Sequence, residues 1–216
     1  MIEAIVSDWG GVLTSPLAGS FGAFAEESGI GLEALGQAMQ RVAERDGENP
    51  LFPLERGEIT EPEFLAVLEA ELVETLGRPV SMARFSELFI GSLEVNEPML
   101  TWLAGAKERG TRLALLTNNV KEWEPRWRAM MPVDELFEVV VDSAYVGIRK
   151  PDPRIYEIVL ERLGLPASAC AFVDDLEHNI EAATALGMHA IWFRDNDQTL
   201  AELGELQLSQ PSRSHR

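Results

Sequence analysis

The chain has 216 residues, 46% hydrophobic and 25% charged, an ordinary globular composition long enough to bury a full core. Its 18 Lys and Arg stand against 36 Asp and Glu, and the formal net charge of −18 argues against nucleic acid and anionic membrane surfaces as partners. No apolar run reaches the roughly eighteen residues of a membrane span, residues 1–6 lack the basic start of a signal peptide, and a single cysteine, Cys170, excludes an intrachain disulfide framework or a multi-thiolate zinc site.

A cytoplasmic protein is expected, one domain with a substantial insertion. Residues 2–7 read as a short buried strand, with Ile2, Ile5 and Val6 ahead of Asp8 and two glycines. From about residue 15 to 93 no strand pattern occurs, and helices are predicted over 21–28, 32–44, 60–76 and 81–90. Thr60 and Glu63 form a capping-box pair, and Phe64, Leu65, Leu68, Leu72 and Leu76 recur at helical spacing. The segment 47–53, rich in Gly, Asn and Pro, reads as a loop. A helix over 97–109, stopped by Gly110, leads to a strand at 113–116, and a helix over 121–131 leads to a strand at 137–141. Asp152 as N-cap, Pro153 at the first helical position and Gly164 at the end frame the next helix. Then come a strand at 171–173, a helix over 177–186 closed by Gly187, and a strand at 190–193. The polar, patternless residues 207–216 are expected to be disordered. Strands alternating with helices place the chain in the α/β class, with a parallel sheet covered on both faces and a helical insertion after the first strand.

In open parallel sheets the ligand sits at the carboxyl ends of the strands. Strand one ends in Asp8-Trp9-Gly10-Gly11, strand two in Thr117-Asn118-Asn119, and strand four in Asp174-Asp175; Arg149-Lys150-Pro151-Asp152 follows strand three. Three carboxylates, a hydroxyl and an ammonium thus converge from four separated segments. A carboxylate can attack phosphorus and split ester hydrolysis into two easier steps. It repels a phosphate dianion, so a cation must bridge them, and magnesium suits a site of one or two carboxylates, phosphate oxygens and waters. Asp8, Asp174 and Asp175 supply carboxylates. Lys150 would neutralise the phosphoryl group while the Thr117 hydroxyl and the Asn118 N–H bind its oxygens.

These four segments resemble the four motifs of the haloacid dehalogenase superfamily. The run Gly147-Ile148-Arg149-Lys150-Pro151-Asp152-Pro153 is similar to its third motif, and Phe172-Val173-Asp174-Asp175-Leu176-Glu177-His178-Asn179 to its fourth. The resemblance implies a Rossmann-like core formed by 1–14 and 94–206, with 15–93 as a mobile helical cap that shapes substrate choice. It implies Asp8 as nucleophile and Mg2+ ligand, a metal-bound backbone carbonyl from Gly10, and Asp175 as a further ligand. Asp174 would act through water or by orienting its neighbours, and Gly11 would join Thr117, Asn118 and Lys150 around the phosphate. The expected partner is a small phosphorylated metabolite, such as a sugar phosphate; the oligomeric state stays open.

One position departs from the family's phosphatases, which usually carry a second Asp two residues after the nucleophile as general acid and base. Here it is Gly10. Loss of such a group costs about 10²–10⁴-fold in rate, so a slow phosphatase is expected, favouring good leaving groups. Two alternatives stay open: a catalytically weak or inactive binding protein on the same fold, and a metal-independent haloacid dehalogenase. The paired Asp174 and Asp175 argue against the latter, because carboxylates crowded beside Asp8 repel one another without a cation. Tyr156 and the aromatics Phe21, Phe24, Phe52, Trp102, Trp123 and Trp127 read as packing residues, and His178 as a remote substitute acid.

Overall fold

The computed structural model describes residues 1–206 and Leu208. Five parallel strands form one sheet in the order β3-β2-β1-β4-β5: β1 (Ala4–Ser7), β2 (Arg112–Thr117), β3 (Val139–Asp142), β4 (Cys170–Asp174) and β5 (His189–Trp192). From β1 the chain builds outward through β2 and β3, then returns to the other side of β1 for β4 and β5. The order therefore reverses beside β1, which opens a crevice at the strands' carboxyl ends.

Alternation along the strands loads both faces. Ile5, Leu113, Leu115, Ala171, Val173 and Ile191 point to one side. There they meet Met99 and Leu103 of α6 (Glu97–Glu108) and Leu203 of α12 (Asn196–Glu205). Ala4, Val6, Ala114, Leu116, Cys170 and Phe172 point to the other. That face packs Ile155, Tyr156, Val159 and Leu163 of α10 (Pro153–Leu163) and Ala183 of α11 (Glu177–Ala185). Near-continuous apolar strands are what burial on two faces demands. Cys170 is fully buried, a small hydrophobe as its context suggests.

The insertion carries five helices: α1 (Leu17–Ser28), α2 (Leu32–Asp46), α3 (Leu51–Glu55), α4 (Glu61–Leu76) and α5 (Phe85–Gly91). The Thr60–Glu63 capping box starts α4, and Phe64, Leu68 and Leu72 are its buried stripe. Helix α3 corrects the reading of 47–53 as a loop: Asn49 Oδ1 accepts the Leu51 N–H at 3.0 Å and starts a short turn, and Pro53 fits within the first turn of so short a helix. Likewise, the single helix expected over 121–131 is a 3₁₀ turn, Lys121–Trp123, followed by α7 (Glu124–Arg128), with Pro125 in its first turn. Short helices α8 (Val133–Leu136) and α9 (Ser143–Val146) flank β3. The expectation of disorder over 207–216 falls outside the described residues except at Leu208, which pairs with Ile2.

Candidate active site

The carboxyl ends of β1, β2 and β4 place their polar residues together. Asp8, Asp174 and Asp175 each offer a carboxylate oxygen, all within 4.8 Å of one another. Lys150 is 1% exposed and sits between two of them, its Nζ 2.8 Å from Asp8 Oδ1 and 2.7 Å from Asp174 Oδ2. The Leu116 carbonyl accepts a further bond from the ammonium at 3.0 Å.

The carboxylates are held differently. Asp174 has both oxygens engaged: Oδ2 by Lys150, and Oδ1 by the Leu176 N–H and Asn179 Nδ2, each at 2.9 Å. Asp8 is held at Oδ1 alone, by Lys150 and by the Trp9 N–H at 2.7 Å. The Asp175 carboxylate receives no donor from another of the described residues, although its carbonyl accepts the Trp192 indole N–H at 3.0 Å. Oxygens free to hold a cation therefore belong to Asp8 and Asp175, while Asp174 is spent on orienting Lys150.

Electrostatics follow from this crowding. Burial raises the Asp8 carboxyl above the usual carboxylate range; Lys150 opposes the shift and Asp174 and Asp175 add to it. Asp175 is pushed up to about 6 by burial and then by Asp174. Burial would depress Lys150, but Asp174 and Asp8 outweigh it and the ammonium is held above its ordinary value. Three carboxylates against one ammonium leave an excess of two negative charges when all are ionised. An all-oxygen donor set with that charge fits a divalent cation such as magnesium.

Gly11 explains the compactness. Its backbone lies in the left-handed region at φ 78°, and a Cβ there would stand 2.3 Å from Asp175 Oδ2, so only glycine admits that carboxylate. The Gly11 N–H donates to Thr14 Oγ1 at 3.1 Å. Gly10 is not in the left-handed region, and a Cβ there would meet Leu17 of α1 at 3.0 Å. The insertion thus stands directly against position 10.

Thr117 is buried at the end of β2, with Oγ1 3.4 Å from the Asn118 carbonyl. The Asn118 side chain clamps the Lys150 main chain, accepting its N–H at 2.8 Å and donating to its carbonyl at 3.0 Å. Every residue singled out in the sequence for this chemistry therefore lies at one sheet edge. Tyr156 is packed against Phe172, its hydroxyl donating to the Asn179 carbonyl at 3.1 Å. His178 is exposed. Phe24, Trp123 and Trp127 are buried core, as packing residues should be. The sequence reading missed Glu55 and Ser143, which tie the insertion to this edge; a polar residue in a short irregular segment carries no periodic signal.

A parallel sheet that gathers three carboxylates and a buried lysine at its carboxyl end, with a helical insertion after its first strand, is the frame of a class of hydrolase. The haloacid dehalogenase-like hydrolase family model matches residues 2–187, and the chain belongs to that family. Mouse acyl-CoA dehydrogenase family member 10 is 35% identical over 168 residues, covering 75% of this chain and 15% of that protein. Pig bifunctional epoxide hydrolase 2 is 28% identical over 215 residues, covering 94% and 38%. A phosphatase of Mycobacterium tuberculosis is 35% identical over 98 residues, covering 45% of each. The chain thus spans less than half the length of these curated relatives. Among solved structures, a family enzyme of Bacteroides thetaiotaomicron in complex with magnesium and inorganic phosphate superposes with a TM-score of 0.63 at 23% identity, over 89% of this chain and 94% of that one. No helix among the described residues is long and apolar enough to cross a membrane.

Proposed function

We propose that the protein is a magnesium-dependent phosphatase acting on a small phosphorylated metabolite, with Asp8 as nucleophile. The observation that carries this reading is the meeting of Asp8, Asp174, Asp175 and Lys150 at one sheet edge. The phosphatase relative and the magnesium and phosphate complex of the structural neighbour support it.

Asp8, Asp175 and the Gly10 carbonyl would hold the ion, with Asp174 reaching it through water. When bound, magnesium supplies charge neutralisation between the carboxylates and the phosphate. The chain's own residues do the rest. Lys150 neutralises the phosphoryl charge, the Thr117 hydroxyl and the Asn118 N–H bind its oxygens, and the Trp9 N–H and Lys150 fix the Asp8 carboxylate for in-line attack. An Asp8 oxygen bonds to phosphorus as the ester bond breaks, and the alkoxide leaves with its electron pair and takes a proton from water. A second water then attacks the phosphorus of the aspartyl-phosphate, releasing phosphate and a proton and restoring the carboxylate.

With Leu17 against Gly10, position 10 offers the leaving oxygen no proton. Turnover should therefore rise steeply as leaving-group pKa falls, aryl and acyl phosphates ahead of alkyl ones by about 10²-fold or more. The test is hydrolysis of p-nitrophenyl phosphate and an alkyl phosphate, with magnesium and with chelator. Magnesium-dependent turnover supports the phosphatase. Turnover of a 2-haloacid that survives chelation would establish the dehalogenase instead, and no turnover of either would establish the binding protein.

A further inference from the structure

Glu55 closes α3 and lies half-buried where the insertion meets the sheet edge. Its Oε2 accepts from Arg149 Nε at 2.5 Å, the two side chains being 12% and 16% exposed. Phe52, on the same helix, lies against that guanidinium, with Arg149 Cζ 4.0 Å from the ring centroid. The main chain of Glu55 makes a second, independent contact: its carbonyl accepts from Ser143 Oγ at 2.6 Å. The same Oγ accepts the Asn119 N–H at 3.0 Å, so one hydroxyl joins the insertion to the end of β2.

The neighbouring backbone is seated as tightly. Lys121 Nζ donates to the Gly57 carbonyl at 3.4 Å, and a Cβ on Gly57 would stand 2.3 Å from the Ala144 carbonyl oxygen. The two core segments that Glu55 reaches are those of the site. Asn119 follows Thr117 and Asn118, and Arg149 precedes Lys150, whose main chain Asn118 already clamps. The half-buried Glu55–Arg149 pair thus stands next to Lys150 in the chain. Losing either partner would leave the other half-buried and unpaired.

We propose that Glu55 is a positioning residue of the phosphate site. From the insertion it braces both core segments that present phosphate-binding groups, 117–120 through Ser143 and 149–150 through Arg149. Those groups are aligned only while α3 is seated. The proposal rests on reading Thr117, Asn118 and Lys150 as phosphate-binding groups.

The test combines kinetics on p-nitrophenyl phosphate with amide hydrogen exchange at Asn119, a group that Glu55 does not touch. Glu55→Ala should raise exchange at Asn119 and lower kcat about tenfold, with KM changed far less, because misplacement of binding groups is felt mainly in the reacting geometry. Glu55→Gln, which keeps an acceptor for Arg149, should recover most of both. Adding Ser143→Ala to Glu55→Ala should cost more than either alone, because the Glu55 carbonyl keeps its bond to Ser143 when only the side chain is removed. Arg126→Gln removes a 3.5 Å contact to Ser86 Oγ elsewhere on the same boundary and should change neither readout. If Glu55→Ala does not fold, Arg149→Gln carries the same two readouts. Unchanged kcat and Asn119 exchange in a folded variant, or an equal loss in Arg126→Gln, would overturn the brace while leaving an active wild type as a phosphatase. A wild type without turnover on any phosphate ester overturns the functional reading and the proposal with it.

Discussion

Arg149 and Lys150 are consecutive, yet they answer to different regions of the molecule. Lys150 turns into the sheet edge, where carboxylates from β1 and β4 hold its ammonium in almost complete burial. Arg149 turns to the insertion, where one carboxylate and one phenyl ring of α3 hold it at partial exposure. The first set of contacts lies within the rigid sheet and survives whatever the insertion does. The second exists only while the insertion is seated. A single loop thus carries a group fixed by the core beside a group held by the insertion.

Substitutions should separate the two sets. The largest effect is expected from Lys150→Met, which strands Asp8 and Asp174 against each other. Breaking one partner of a buried pair costs about 3–5 kcal/mol, and under the proposed mechanism loss of the Lys150 ammonium should lower kcat by at least about 10²-fold. A chemical melt and kinetics would show both; near-wild-type stability would mean that the carboxylates are not ionised together.

Magnesium should act on the core set alone. At one hundred times its dissociation constant a ligand specific to the folded state adds about 2.7 kcal/mol, which for a chain of this size raises Tm by several degrees, roughly 5–10 °C. Asp175→Asn should abolish the shift, because Asp175 is the carboxylate with free oxygens, and Glu55→Gln should leave it intact. A shift that vanishes with Glu55→Gln would merge the two regions into one site.

The adjacent glycines give a finer contrast. Gly11→Ala places a Cβ in a left-handed backbone and against Asp175 Oδ2, and should destabilise by about 1–3 kcal/mol while impairing the metal response. Gly10→Ala meets only the end of the Leu17 side chain, which can move, and should cost less than about 1 kcal/mol. Equal losses at both positions would place the strain elsewhere.

An effect of opposite sign is expected at Asp142, beside Ser143. Its Oδ1 caps α9 through the Ala144 N–H at 2.9 Å, while its buried Oδ2 has no partner among the described residues. Burial pushes this carboxyl up to about 6 from the ordinary 3.8. Below 3.8 both folded and unfolded chains are protonated and nothing is lost. As pH rises from 3.8 toward about 6 the unfolded chain ionises while the folded chain keeps its proton, so stability falls across that window and levels off above it. Asp142→Asn keeps the cap and removes the charge, so it should raise stability at pH 7–8 by ~2 kcal/mol, with the gain vanishing toward pH 4. A gain independent of pH would point to packing instead.

The core was legible because its signals are local and periodic. Apolar runs of strand length, each ended by a polar residue, set the sheet and its functional edge, and Asp152-Pro153 with Gly164 framed α10 as capping chemistry demands. The insertion was legible only as helical. Helix α3 escaped because its Pro and flanking Gly-Glu-Asn-Pro resemble a turn, and α12 because Asn196-Asp197-Gln198-Thr199 masks its helical start with polar residues. The division of labour between Asp174 and Asp175 came only from the family resemblance, not from the residues themselves. Adjacent acids look alike in sequence, and only the donors around them, Lys150, Asn179 and the Leu176 N–H for Asp174, show that one is spent and the other free.

The central claim is that Asp8 attacks phosphorus. Protein quenched with acid during turnover of p-nitrophenyl phosphate in magnesium, then digested and weighed by mass spectrometry, should carry one phosphoryl group on the peptide containing Asp8. The adduct and turnover should both vanish in Asp8→Asn, whose melt should show an intact fold. Turnover that persists in Asp8→Asn, or a phosphoryl group found on another residue, would contradict the account.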